Sequence, residues 1–176
     1  MIRYQQTAVH SLTAKVLHWG FIVVFAYGLV RQVDEVEELE DTAFLMEEIV
    51  FAIIFLMLLF ARFIYMRATR PSVLPDHAPR LVLRLAQGVH LGIYVSLALL
   101  ALSGLSIGLM YASAVKDGAV FEFVLWLHEA AYWTSVNLIA LHVVGAIYHR
   151  YLGDGVWSSM VPLLTERTRL PPTTQD

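Results

Sequence analysis

Three histidines, His128, His142 and His149, recur along one apolar stretch near the end of the chain, WLHEAAYWTSVNLIALHVVGAIYHRY. A helix turns about 100° per residue, so steps of fourteen and then seven residues return to within roughly 40° and 20° of the starting direction. The three imidazoles therefore share one face, about 21 Å and then about 10 Å apart along the axis. Metal–imidazole bonds are about 2 Å long, so these rings cannot hold one ion together. They can serve separate sites stacked along the helix. Four further histidines, His10, His18, His77 and His90, lie elsewhere in the chain.

The elements that must position these rings are apolar. Of the 176 residues, 58% are hydrophobic and only 15% charged, and the mean hydropathy is +0.63. That balance points to a membrane protein. Four stretches approach or exceed the ~20 residues needed to cross a bilayer core: 12–30, 49–66, 88–111 and 123–151. A backbone in lipid must satisfy its own hydrogen bonds, so each is predicted as a helix. The expected fold is all-α, an integral membrane four-helix bundle forming one domain over 1–176, with a loosely ordered tail over 165–176. Small residues in the third and fourth stretches (Ser103, Gly104, Gly108; Ala140, Gly145, Ala146) allow close helix approach. The opening MIRYQQTAVHSLTAK lacks the apolar core and cleavage site of a signal peptide, so the first span is expected to act as its own uncleaved signal. There is no cysteine. This excludes disulfides, thiolate haem ligation and cysteine-held iron–sulfur clusters. A net charge of −3 with no basic patch gives no sign of nucleic-acid binding.

Charge sets the orientation. The segment RQVDEVEELEDTAFLMEE, between the first two spans, holds eight carboxylates and one arginine. RFIYMRATRPSVLPDHAPRLVLR, between the second and third, holds five arginines and one aspartate. Of twelve lysines and arginines, only Arg31 and Lys116 fall on the side of the acidic segment. The positive-inside rule then places both termini and the 67–84 loop in the cytoplasm. His18 and His142 come to matched depth in the cytoplasmic half, on different helices. His128 lies near the outer end of the fourth helix. His90 and His149 lie near the cytoplasmic ends of theirs, and His10 and His77 outside the core.

Intramembrane histidines can be plain interhelical hydrogen-bonding groups. A pair at matched depth, one member belonging to a face-aligned triad, favours function, because ionisable residues in a span are costly. Two imidazoles from two helices, with no cysteine, suit axial ligation of a haem iron. A b-type haem needs no CxxCH attachment motif. Gly20, Gly28 and Gly145 would make room for the macrocycle, or else serve ordinary helix packing. Arg84 and Arg150, with His90 and His149, are expected at the cytoplasmic edge of that haem, where cations favour its carboxylates. Snorkelling anchors are the alternative reading of the two arginines.

The sequence resembles the bacterial cytochrome b561 family and the related b-type subunits of hydrogenases and formate dehydrogenases. The resemblance rests on KVLHWG in the first span, on HLGIY and LSGL in the third, on the fourth-span stretch quoted above, and on the trailing DGVWSSMVP. It spans nearly the whole chain in order. It implies a multi-pass protein of the bacterial inner membrane, embedded in lipid, with four helices and haem b. It assigns His18 and His142 to a cytoplasmic-side haem and His128 to an outer haem. It sets His90 and His149 near the haem edge or a quinone site. The second outer ligand in the family is a histidine near the start of the second helix. Here that region reads FLMEEIVFAIIF, and the matching position is Glu48. Three arrangements are open: no outer haem; an outer haem held by His128 alone or with Glu48 or Met46; or a site completed by another protein. With no haem between them, His128 and Glu48 are expected to meet directly.

Three functions follow. The first is an electron-transfer cytochrome between the quinone pool and a redox partner, such as a cytochrome or a dehydrogenase that it anchors. The second is a superoxide:quinone oxidoreductase of the same fold, which would need a basic outer face. The third is a haem-free transporter or assembly factor.

Overall fold

The computed structural model describes residues 10–31, 33, 35–69 and 79–161. Four long helices follow one another: α1 (Leu12–Val30), α2 (Thr42–Thr69), α3 (Arg80–Ala112) and α4 (Ala119–Leu152). All four are long and apolar enough to cross a membrane. A 3₁₀ turn (Val36–Glu40) links α1 to α2, and a short helix α5 (Val156–Met160) follows α4. His77 and the 165–176 tail lie outside the described residues.

The apolar spans sit inside longer helices, and local chemistry sets the ends. Ser11 caps α1, its Oγ accepting from the Ala14 N–H at 3.2 Å. Asp41 starts α2 well before its apolar run, with Oδ1 accepting from Ala43 N at 2.8 Å. α4 stops at Gly153, whose left-handed φ of 67° lets its N–H reach the carbonyls of His149 and Arg150 at 3.1 and 3.3 Å.

Successive helices pack antiparallel, α1 on α2, α2 on α3 and α3 on α4, whereas α1 and α4 do not pack extensively on each other. α3 is the central element. Ile93, Leu97, Ala101, Gly108 and Tyr111 are buried along it at helical spacing. One apolar cluster joins Phe21, Phe55, Leu59, Ile93, Leu97 and Ala101. Another joins Leu39, Leu45, Ile107, Tyr111 and Phe121 at the end bearing the acidic segment. Outward faces stay apolar: Val30 is 87% exposed and Phe60 64%, as lipid contact requires.

The small residues divide by helix. A Cβ at Gly108 would lie 2.8 Å from Ile49 Cγ1, so α2 and α3 meet there through a missing side chain. Gly145 has no such neighbour within 4 Å, so the close approach expected of it on α4 is not made. Gly108→Leu is expected to cost about 1–3 kcal/mol through overpacking. A thermal unfolding midpoint in detergent checks this, and an unchanged midpoint would mean that α2 and α3 are not held so close.

Candidate functional site

Three imidazoles from three helices gather in one half of the bundle. The rings of His18 (α1) and His142 (α4) have centroids 6.4 Å apart at 75°. His90 (α3) approaches His142 to 4.9 Å at 77°. The His18–His142 contact thus joins two helices that do not pack extensively on each other. Two imidazoles sharing a metal, each with a bond of about 2 Å, put their ring centres roughly 6 Å apart. The 6.4 Å spacing suits an intervening iron, whereas the 4.9 Å spacing is too short for one. Among the described residues no group of three or more His, Cys, Asp or Glu could hold a metal ion alone. A two-imidazole site leaves the remaining positions to the macrocycle. Gly145, one turn from His142, adds no side chain beside it, and nothing lies within 4 Å of its Cβ position. The other two glycines are placed differently. Gly20 is exposed and about 200° round the helix from His18, and Gly28 packs on the Phe51 ring, with a Cβ–Cζ distance of 2.8 Å.

Sequence reasoning passed over the fourth member of this group. Arg62, on α2, brings Nη2 to 2.7 Å from His18 Nδ1. Its Nε is buried and has no hydrogen-bond partner. The guanidinium lies 5.2 Å from the Tyr94 ring centre and 5.7 Å from that of Phe21. The available signal was a lone arginine inside an apolar run, which the cost of intramembrane charge marks as functional. An arginine only donates, so His18 Nδ1 accepts and the ring proton sits on Nε2. His90 is the reverse: its Nδ1–H donates to the Ala86 carbonyl at 2.6 Å, leaving Nε2 with a lone pair.

The other residues expected at the cytoplasmic edge make contacts of their own. His149 Nδ1 donates to Asp154 Oδ2 at 2.6 Å, across the glycine that ends α4. Arg150 stacks on Trp157, its guanidinium carbon 4.8 Å from the ring centre. Arg84 is exposed. His10 lies closer than expected. Burial, helped by Lys15 and His90, holds its pKa below the ordinary imidazole value.

Near the opposite end, a cavity of about 710 Å³ opens between all four helices and the 3₁₀ turn, and both His128 and Glu48 line it. Ser103 Oγ donates to the Leu99 carbonyl at 2.7 Å, so at 3.0 Å it accepts the His128 Nδ1–H. That fixes the tautomer and leaves His128 Nε2 a lone pair. Gly104 makes room for the ring, its Cβ position only 3.1 Å from His128 Cε1. Glu48 does not meet His128. Its Oε1 lies 3.7 Å from Arg31 Nη2, drawn to the nearest cation. Met46 is 52% exposed and does not line the cavity. One imidazole and one guanidinium-paired carboxylate do not fit a bis-imidazole haem. The two cations of this face are both paired, Arg31 with Glu47 at 2.9 Å and Lys116 with Glu40 at 3.0 Å.

A family model described as prokaryotic cytochrome b561 matches residues 9–163. No curated protein and no solved structure matches the chain significantly.

Proposed function

The chain belongs to the prokaryotic cytochrome b561 family, a multi-pass b-type cytochrome of the bacterial inner membrane, and from that premise we propose that it holds one haem between His18 and His142. Its role in this reading is to pass electrons between quinone on the cytoplasmic side and a redox partner. The observation that carries the reading is the 6.4 Å separation of the two rings, on helices that otherwise stay apart. A haem bound there would supply a one-electron centre, and His18 and His142 are the residues that would hold it. The protein contributes the rest. α1 and α4 present the rings, His90 packs on His142, and Phe21 and Tyr94 flank the Arg62 guanidinium beside His18. His149 is the proton-exchanging group in this reading, since its carboxylate partner Asp154 fixes the ring and leaves Nε2 for a quinone oxygen.

A reduced-minus-oxidised spectrum of the purified chain tests the core of this reading, with a pyridine hemochrome assay for stoichiometry. One low-spin b haem per chain is expected. The absence of an alpha band would leave the haem-free reading instead. Superoxide oxidation is disfavoured, because Arg31 and Lys116 are each neutralised by a carboxylate and steer no anion inward. For His149→Ala, quinol-driven haem reduction is expected to slow by about tenfold or more, with the haem spectrum intact. Unchanged kinetics would remove His149 from the quinone site.

A further inference from the structure

Arg62 has a charge that its surroundings do not answer. It lies within the apolar length of α2, about 10 Å from the cytoplasmic-side end of the helix. Among the described residues, the ion pairs join Arg31, Lys116 and His149 to carboxylates, and none reaches Arg62. Its Nε–H is sealed from solvent without an acceptor. Among the described residues its one hydrogen bond goes to His18, a ring that accepts through Nδ1. The faces of Tyr94 and Phe21 hold the guanidinium plane but accept no conventional hydrogen bond. A guanidinium is always charged, and its planar fork matches a carboxylate.

The hydrogen bond to His18 cannot persist when that ring binds a metal through Nε2. Ligation takes the Nε2 lone pair, which moves the ring proton to Nδ1. Nδ1–H and the guanidinium would then be two donors facing each other. Arg62 must turn away, and in an apolar surround it needs an anion to turn to.

We propose that Arg62 is the binding site for a carboxylate carried by the ligand that lies between His18 and His142. Resting on the haem reading above, this makes Arg62 the partner of a haem carboxylate. Before loading, the guanidinium caps His18 in the wrong tautomer for ligation. On loading it releases the ring and takes the carboxylate. Charge is thus recognised and the ligand ring freed by one movement. Arg62 would thus take the carboxylate contact expected of Arg150 and Arg84, of which the first stacks on Trp157 and the second is exposed.

The test uses the full chain produced without haem, in detergent, titrated with haemin and with haemin dimethyl ester. The wild type is expected to bind haemin about tenfold or more tighter than the ester. Arg62→Leu is expected to bind the two alike, and Arg62→Lys to keep part of the preference. A second readout is the thermal midpoint of the haem-free chain. Arg62→Leu is expected to raise it, because an unpaired buried charge is removed, whereas loss of a merely structural arginine would lower it. A wild type that does not distinguish the ester, or an Arg62→Leu variant that still does, overturns the proposal while the haem reading stands. A carboxylate supplied by lipid would give that first result. If neither porphyrin produces a low-spin band in the wild type, the haem reading fails as well. Should Arg62→Leu not fold, Arg62→Lys decides: full retention of the wild-type preference with an unchanged midpoint would count against a forked carboxylate contact.

Discussion

His142→Ala is expected to abolish haem binding, taking haem from one per chain to near zero, while His90→Ala leaves a low-spin spectrum. His142 is the ring common to both contacts of the inner group, with His18 at 6.4 Å and His90 at 4.9 Å. Without it, His18 has no partner across the gap, and its Nδ1 is held by Arg62. His18→Ala is expected to be less complete. His142 remains, with His90 beside it, but their rings are too close to admit an iron between them. The variant is expected to lose the low-spin signal and retain a weakly bound high-spin haem. Pyridine hemochrome content and the visible spectrum of each purified variant check these outcomes. A normal bis-imidazole spectrum in both His18→Ala and His142→Ala would refute the ligand assignment.

Much of this arrangement could be read from one dimension. Hydropathy found four spans, because lipid imposes a length and a composition on each. Helical period placed His128, His142 and His149 on one face, and charge asymmetry brought His18 and His142 to one depth. Helix ends were less legible. The apolar run of α2 begins at 49 because Glu47 and Glu48 interrupt it, yet the helix starts at Thr42, where Asp41 caps it. The partners of side chains were least legible, since they depend on how each helix is rotated against its neighbours. Nothing in the order of residues shows that Ser103 of α3 would hold His128, or that Arg62 would reach His18 forty-four positions away. Glu48 was expected to relieve its burial against His128, but Arg31, carried in at the end of α1, offers a full charge instead. The His149–Asp154 pair could have been found, because a glycine that ends a helix turns the next residue back toward its last turn.

Glu48→His is expected to raise haem content from one toward two per chain and to add a second low-spin component. The outer cavity already has half of what this requires. His128 is fixed by Ser103 in the tautomer that leaves Nε2 a lone pair. Gly104 gives the ring its place against α3. The cavity, at about 710 Å³, lies within the range of about 300–1,000 Å³ typical of ligand and cofactor sites. What it lacks is a second neutral nitrogen. Glu48 offers an anionic oxygen instead, and Arg31 competes for it from 3.7 Å. Histidine at position 48 removes that competition without stranding Arg31, which keeps Glu47 at 2.9 Å. The change is therefore expected to act on the cavity alone, and the His18–His142 haem provides an internal reference in the same sample. Two haems by pyridine hemochrome, with two steps in a redox titration, are the expected result. A variant that folds normally yet still carries one haem with an unaltered spectrum would show that the shape of the cavity, and not the missing imidazole, excludes the macrocycle. The wall contributed by Phe25, Phe51 and Trp126 would then be what a haem cannot enter.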